Sequence, residues 1–252
     1  MSKFFVKSNQ IVNNKINIIG EDVNHIKNVL RLKIDDDIKI CNSDDSKNYI
    51  CAIENITSNE ITCSILKKIN SEVEGNVELT IFQGLPKADK MELIIQKGTE
   101  LGVNRFIPVN LKRCIVKLSG KDETKKIERW QKISEVAAKQ CGRDIIPDVT
   151  SISNIKNICN EINSYDLFLV AFEGEEENYI KNELIKLKAS KQQYKIAVLI
   201  GPEGGLDIEE VNTLKENGAK IVSLGKRILR TETVALQVSS IIMYELENEG
   251  VN

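Results

Sequence analysis

Residues 195–206 read KIAVLIGPEGGL, and residues 223–233 read SLGKRILRTET. The first stretch is an apolar, strand-like run that passes directly into a turn with three glycines and a proline. The second follows another short apolar run and leads into a helical pattern. Both are therefore strand-to-helix connections, and in open α/β sheets such connections at the carboxyl ends of strands bind ligands.

The same strand-then-helix pattern continues on both sides of these two stretches. Its five pairs are Glu78–Gln83 with Lys87–Leu101, Arg105–Val109 with Glu123–Cys141, Tyr165–Phe172 with Glu177–Lys188, Lys195–Ile200 with Ile208–Asn217, and Lys220–Leu224 with Glu232–Glu247. Five consecutive β–α units predict an α/β domain with a parallel sheet covered by helices. The last helix is apolar on more than one side, so neighbours in its own chain or in a second subunit are expected to cover it.

The first 70 residues follow a different pattern. Short apolar or β-branched runs alternate with turn-rich segments, and one helix is expected from about Asp22 to Leu30. The strand-like runs are Lys3–Val6, Ile16–Ile18, Ile38–Cys41, Tyr49–Ile53 and Ile61–Leu66. These runs predict a small β-barrel, and the polar segment 71–76 predicts a boundary between domains 1–73 and 74–252.

Composition limits the class of protein. The 252 residues are 41% hydrophobic and 29% charged, which is typical of a globular protein of one or two domains. No run approaches the length of a membrane span, and the first residues lack the core of a secretory signal, so a cytoplasmic protein without a membrane partner is expected. The six cysteines form no CxxC pair and the chain has one histidine, His25, so we expect free thiols and no metal site.

Charge is balanced overall but unevenly placed. The net charge is −2, yet residues 110–143 hold ten basic and four acidic side chains. Such a stretch is typical either of a phosphate-binding surface or of a solvated helix face, and charge alone leaves both interpretations open.

The two connections also exclude some ligands. Neither contains GxGxxG or a phosphate loop, so neither dinucleotide nor nucleoside triphosphate binding is indicated. The glycines allow close backbone approach to a ligand, although a tight turn alone would also use them. Leu224, Ile228 and Leu229 are suited to line a flat purine pocket.

Five stretches, in the order in which the chain presents them, together resemble the RsmE family. They are HIKNVLR at 25–31, GLPKADKMELIIQKGTELGV at 84–103, RWQKISEVAAKQCGR at 129–143, GPEGGL at 201–206 and SLGKRILRTET at 223–233. The family comprises 16S rRNA uridine N3-methyltransferases of the SPOUT superfamily, and the resemblance covers nearly the whole chain.

The resemblance implies a trefoil-knotted SPOUT methyltransferase domain after a PUA-like RNA-binding β-barrel. It also implies a homodimer that binds S-adenosylmethionine (AdoMet) and acts on 16S rRNA, in free or assembled small subunits. The implied cofactor-binding residues are Leu199, Gly201, Gly204, Gly205, Leu224, Gly225, Ile228, Leu229 and Thr231. The implied RNA-binding residues are His25, Arg31, Arg113, Arg129 and Arg143, and the basic stretch adds Lys125 and Lys126.

Methylation at uridine N3 requires removal of a proton from a nitrogen on the Watson–Crick edge, so the base must be unpaired or flipped out. Arg230 is the candidate to stabilise the negative charge that develops on the uracil. Glu203 and Glu232 are alternative candidates for the proton acceptor, beside a water molecule.

The chain departs from the family pattern at several positions. It has Asp35-Asp36 where the family usually has Gly-Asp, and Val136 replaces a family glutamate. Two alternatives therefore stay open: a SPOUT methyltransferase acting on a ribose oxygen or a transfer RNA, and a catalytically silent RNA-binding protein, which the Val136 replacement favours. The missing phosphate-loop lysine disfavours a third, a nucleotide-binding regulator.

Overall fold

The structure is a computed structural model that describes residues 3–70, 73–188 and 193–247. The chain forms two compact units, Met1–Glu74 with Ala138–Ile146, and Gly75–Ala137 with Pro147–Asn252. Residues 138–146 thus pack in the first unit although they lie in the range predicted for the second domain. Of the predicted polar boundary 71–76, residues 71 and 72 lie outside the described residues.

The first unit contains a curled six-stranded sheet. Its elements are β1 (Lys3–Val6), β2 (Ile11–Val12), β3 (Lys15–Ile19), α1 (Glu21–Asn24) continued by a π-helical turn (His25–Val29), β4 (Asp37–Asn42), β5 (Asn48–Ile56) and β6 (Glu60–Ile69). The strand order is β1-β4-β5-β6-β3-β2, with β1 parallel to β4 and the other pairs antiparallel. Two irregularities in the β5–β6 pairing increase the local twist of the sheet.

Alternation of apolar and polar residues explains this sheet. Ile16 and Ile18 on β3 and Ile38 and Ile40 on β4 are buried, while Lys15, Asp37 and Lys39 beside them are exposed. Burial of each of these side chains stabilises the folded state by roughly 1.5–3 kcal/mol. Together they form the core of the unit on one face of the sheet.

The second unit is an all-parallel α/β fold. Its elements are β7 (Val77–Gly84), α2 (Lys90–Glu100), β8 (Arg105–Val109), α3 (Gly120–Cys141, whose last residues belong to the first unit), β9 (Asp148–Val149), α4 (Ile155–Glu161), β10 (Leu167–Ala171), α5 (Ile180–Lys188), β11 (Tyr194–Ile200), α6 (Ile208–Glu216), β12 (Lys220–Val222) and α7 (Thr231–Leu246). The strand order is β12-β10-β11-β7-β8-β9. The predicted parallel sheet is therefore confirmed.

The strand order positions the site. Because β10 lies between β12 and β11, the carboxyl ends of these three strands are adjacent. The strands are almost continuously apolar, as expected for a sheet with helices on both faces. Helix α7 packs on α2, α5, β7 and β11, so much of its wide apolar surface is covered within the chain.

Candidate cofactor and RNA site

A cavity of about 820 Å³ lies at the carboxyl ends of β10, β11 and β12. Three connections form its walls: residues 171–179 after β10, 200–205 after β11 and 223–231 after β12. Lys90 at the start of α2 and Val234 on α7 complete the lining. The two connections singled out in the sequence therefore face one common space.

The glycine-rich connection can be built only from glycine at two positions. A Cβ on Gly201 would lie 2.9 Å from the backbone carbon of Gly205, closer than such atoms come in real structures. Gly205 has φ +69°, a left-handed conformation that favours glycine. The resulting compact turn exposes backbone groups at its glycines on this wall of the cavity, beside Pro202 and Glu203.

Buried hydrogen bonds join this turn to the start of α7. The Thr231 hydroxyl donates to the Gly201 carbonyl at 2.7 Å and accepts from Gln83 Nε2 at 2.8 Å. Gln83 also donates to the Gly84 carbonyl at 2.9 Å. Because Gln83 and Thr231 are both buried, these bonds fix the glycine-rich turn against α7.

The structure brings most of the predicted cofactor residues to the cavity. Those that line it are Gly201, Gly204, Gly205, Leu224, Gly225, Ile228, Leu229 and Thr231. Leu199 is fully buried on β11 and does not line it; the next residue, Ile200, does. Ile228 is 88% exposed at the mouth of the cavity, an unusual exposure for a large apolar side chain.

The catalytic candidates separate into two groups. Arg230 and Glu203 line the cavity, whereas Glu232 does not. Arg230 is exposed, and its guanidinium makes no hydrogen bond or ion pair with the described residues. Lys90 lies between the two glutamates, 2.8 Å from Glu203 Oε1 and 3.4 Å from Glu232 Oε2.

These contacts perturb two pKa values. The hydrogen bond to Glu203 raises the pKa of Lys90. Burial alone would raise the pKa of Glu203, but hydrogen bonds from Lys90 and from backbone N–H groups outweigh it and lower that pKa. Glu203 is therefore held as a carboxylate at neutral pH.

Sequence reasoning missed two parts of the lining. Lys90 belongs to the GLPKADK stretch, which carried the resemblance but received no role. The connection after β10 brings Phe172, Glu173 and Tyr179 to the cavity. The rule that ligands bind at the carboxyl ends of strands, applied to β10, would have found this connection.

Two predicted RNA-binding residues lie on the first unit. His25 is exposed at the start of the π-helical turn, where its ring makes an edge contact with Phe4. Arg31 follows that turn, is exposed and has φ +56°. Left-handed backbone at a residue other than glycine is uncommon and is found preferentially at functional sites.

Most basic side chains of residues 110–143 already have partners. Arg113 donates to the Gly204 carbonyl at 3.1 Å and so contacts the glycine-rich turn, while Arg129 binds Glu92 at 2.8 Å. Arg143 is only 5% exposed and binds Glu74 at 2.7 Å, an arrangement that favours a structural role. Lys125 and Lys126 on α3 make no ion pair within the described part of the chain.

Val136 lies on the exposed face of α3, 56% exposed, and does not line the cavity. Its replacement of a family glutamate therefore leaves the cavity wall unchanged. Among the described residues, no group of three or more His, Cys, Asp or Glu side chains has the geometry of a metal site, and no helix could span a membrane.

All six cysteines are free, as expected. Four are buried: Cys41, Cys51, Cys63 and Cys114. Burial raises the pKa of Cys41 to about 11 and those of Cys51 and Cys63 to about 12, so these thiols are inert at neutral pH.

Comparison with known proteins identifies the class. Residues 73–243 match a family model described as an RNA methyltransferase domain, and residues 18–66 match an RNA methyltransferase PUA domain. The parallel α/β unit with its cavity at the strand ends, preceded in the sequence by a PUA domain, thus defines an RNA methyltransferase of the SPOUT class.

Similar proteins identify the family. The chain is 37% identical over 231 residues to the ribosomal RNA small subunit methyltransferase E of Bacillus subtilis, covering 91% of this chain and 90% of that protein. It is 31% identical to the protein of the same name from Mesomycoplasma hyopneumoniae, covering 94% and 96%. A crystal structure of that methyltransferase from Neisseria gonorrhoeae bound to S-adenosylmethionine is 27% identical with a TM-score of 0.85, covering 98% of each chain. The chain belongs to the ribosomal RNA small subunit methyltransferase E family, the RsmE family.

Proposed function

We propose that this protein transfers a methyl group from AdoMet to N3 of a specific uridine of 16S rRNA, near the 3′ end in the decoding region. The observation that carries the proposal is the cavity where the two motif-bearing connections meet in a member of this family. A relative of similar fold was solved with AdoMet bound, which supports the choice of cofactor.

The cavity suits AdoMet in size and chemistry. Its volume of about 820 Å³ lies within the range of cofactor pockets, roughly 300–1,000 Å³. Leu224, Ile228 and Leu229 offer apolar surface to a purine, while the glycine-rich turn offers backbone groups. When bound, AdoMet supplies an activated methyl group on a sulfonium. Thr231 supports the site indirectly, because its hydroxyl is bonded to Gly201 and Gln83.

The residues on the cavity wall fit the chemistry at uridine N3. The nitrogen loses its proton as its lone pair takes the methyl group, and negative charge develops toward the uracil oxygens. The unpaired guanidinium of Arg230 stabilises that charge. A carboxylate accepts the proton, and Glu203 and Glu232 are the two candidates that the sequence named.

The target uridine is unpaired or flipped out when it enters the site, because N3 lies on the Watson–Crick edge. His25 and Arg31 on the first unit and Lys125 and Lys126 on α3 contact the surrounding RNA backbone. Arg113 and Arg129 contribute less, since each already has a partner, and Arg143 is left out because it is buried.

The assembly follows the family. The protein acts in the cytoplasm as a homodimer, and the chain around β10–α7 forms the trefoil knot expected of the SPOUT class. The half-buried Ile241 and the exposed Tyr244, one turn apart on α7, offer apolar surface to a second subunit. The substrate is 16S rRNA, in an assembled small ribosomal subunit.

Expression of the protein in bacterial cells that lack 3-methyluridine in 16S rRNA tests the proposal. A methyl group on N3 blocks base pairing, so reverse transcription should stop at one uridine near the 3′ end. A stop at a transfer RNA position, or a ribose methylation at any site, would contradict the N3 assignment while preserving the methyltransferase class. No modification despite AdoMet binding would favour the silent RNA-binding alternative.

A further inference from the structure

Three charged side chains from three separate elements meet at the edge of the cavity. Lys90 comes from the start of α2, Glu203 from the connection after β11 and Glu232 from the first turn of α7. Only Lys90 and Glu203 line the cavity, whereas the side chain of Glu232 is 15% exposed and its Oε2 is buried. Glu232 therefore lies deepest in the protein, Glu203 lies at the cavity, and Lys90 lies between the two carboxylates.

The two oxygens of Glu203 differ in their contacts. Oε1 accepts both the Lys87 backbone N–H at 3.0 Å and the Lys90 ammonium at 2.8 Å. These two bonds fix the orientation of the carboxylate and leave Oε2 for another partner. Since Glu203 precedes Gly204, this oxygen lies beside the turn that carries the cofactor-binding glycines.

The backbone that delivers both donors is strained. Ala88, between Lys87 and Lys90, has φ +56°, in the left-handed region that residues other than glycine avoid. It is exposed, so core packing does not account for the conformation. Strain of this kind persists where the surrounding structure enforces it, preferentially at functional sites.

We propose that Glu203 accepts the proton from uridine N3, and that Lys90, itself held by Glu232, is the positioning residue that fixes the Glu203 carboxylate for this step. The inference rests on the proposed function and selects between its two candidate proton acceptors. The N3–H bond breaks and its proton goes to Glu203. The N3 lone pair forms the new N–C bond, and the electron pair of the broken S–C bond stays on sulfur, leaving a neutral thioether.

The first test measures methyl transfer to small ribosomal subunits at saturating AdoMet. Glu203→Gln should lower kcat by about a hundredfold or more while changing the Kd for AdoMet by less than about threefold. Glu232→Gln should lower kcat less, because Glu232 acts through Lys90. The matched control is Glu209→Gln, an exposed carboxylate on α6 that binds Lys112 and does not line the cavity; it should leave kcat unchanged.

The second test separates positioning from general structure. Charged groups close to Glu203 include Lys90 and Glu232, Arg113 on the β8–α3 connection, Arg230 before α7, and Glu173 after β10, whose carboxylate lies against Gly205. Since the bond from Lys90 lowers the pKa of Glu203, Lys90→Met should raise it. The acid limb of the kcat–pH profile and the NMR titration of the Glu203 carboxyl carbon, recorded without RNA, should both move to higher pH. Lys90→Arg should restore both.

The outcomes distinguish the inference from the proposed function. A wild-type protein that makes no 3-methyluridine contradicts the proposed function itself. A wild type that makes it, with Glu203→Gln as active as wild type or less impaired than Glu232→Gln, overturns the inference alone. The inference is also overturned if the titration of the Glu203 carboxyl does not move in Lys90→Met while the melting temperature of that variant is unchanged.

Discussion

Asp35 and Arg31 are two of the five described residues of the first unit, other than glycine, that adopt left-handed backbone. Asp35 has φ +72° and Arg31 has φ +56°. Left-handed backbone costs roughly 1–2 kcal/mol at a residue with a Cβ. At Asp35 no side-chain interaction offsets this cost, because the carboxylate makes no hydrogen bond or ion pair with the described residues. At Arg31 we propose that a contact between its side chain and RNA accounts for an arginine at this strained position.

Asp35→Gly should therefore stabilise the protein. Relief of the left-handed strain outweighs the added freedom of the unfolded chain, and we expect a gain of about 0.5–1 kcal/mol, measured by thermal unfolding. Asp36→Gly is the control. Asp36 accepts a hydrogen bond from the Lys33 backbone at 2.7 Å, so its replacement should destabilise. A loss of stability in Asp35→Gly would contradict the strain argument.

Arg31→Gly should change stability and RNA binding in opposite directions. The melting temperature should rise because the strain is removed, while RNA affinity should fall and its salt dependence weaken by about one unit of log–log slope. Ser46→Gly, at another left-handed position with φ +54°, is the control that should gain stability without losing affinity. Unchanged RNA affinity in Arg31→Gly would remove Arg31 from the RNA surface.

At the scale of elements, the cavity depends on how separate connections are joined. Gln83 at the end of β7, Gly201 after β11 and Thr231 at the start of α7 are linked by buried hydrogen bonds. These bonds make this wall of the cavity depend on all three elements.

Thr231→Val should therefore loosen the proposed cofactor site. The hydroxyl that it removes binds Gly201 and Gln83 rather than the cofactor. The buried Gly201 carbonyl and Gln83 amide lose a partner, which should destabilise the protein by about 1–3 kcal/mol. We expect the Kd for AdoMet, measured by calorimetry, to rise about tenfold, equivalent to about 1.4 kcal/mol. Thr233→Val, on an exposed residue of the same helix, should change neither quantity. An unchanged Kd in Thr231→Val would show that the network does not shape the site.

The sequence predicted most of these elements because their hydrophobic period is strong. The runs 195–200 and 220–224 and the glycine-rich connection were sufficient to predict parallel β–α units and a ligand site at their ends. Helix α4 was missed because its sequence, IKNICNE, is short and largely polar. The predicted helix Asp22–Leu30 is an α-helical turn, Glu21–Asn24, continued by a π-helical turn, His25–Val29, a rare element that the hydrophobic period did not predict.

Other features could not be read from local patterns. Strand order depends on long-range pairing, so the adjacency of β10, β11 and β12 carried no sequence signal. The cluster joins Lys90 to Glu203 and Glu232, each of which lies more than a hundred positions further along the chain. The same limit explains Arg143: the resemblance implied an RNA-binding residue, but its side chain is buried and binds Glu74.

At the scale of the whole molecule, the charges that remain available for RNA are fewer than the sequence suggests. Within residues 110–143, Lys112, Arg129, Lys132, Lys139 and Arg143 bind acidic side chains. The lysines without such partners in the described chain are Lys117, Lys121, Lys125 and Lys126. They lie at the beginning of α3 and just before it, where Asp122, Glu123 and Glu128 offset three of the four charges. The salt dependence of RNA binding therefore distinguishes a phosphate-binding surface from a solvated helix face.

Replacement of Lys125 and Lys126 by alanine should weaken RNA binding and reduce the log–log salt slope by about two, with the Kd for AdoMet unchanged. Lys215→Ala with Lys220→Ala, two exposed lysines elsewhere in the second unit, form the matched control and should leave the slope unchanged. Filter binding over a range of salt concentrations measures both. An unchanged slope in the α3 variant would place the RNA surface elsewhere.

The most direct test of the central claim is methyl transfer in a purified system. The protein is incubated with isotopically labelled AdoMet and small ribosomal subunits from cells lacking the modification, and the labelled nucleoside is identified by mass after digestion of the RNA. We predict label in 3-methyluridine and in no other nucleoside. Label in a different nucleoside, or none while AdoMet remains bound, would contradict the assignment of this protein as a uridine N3-methyltransferase.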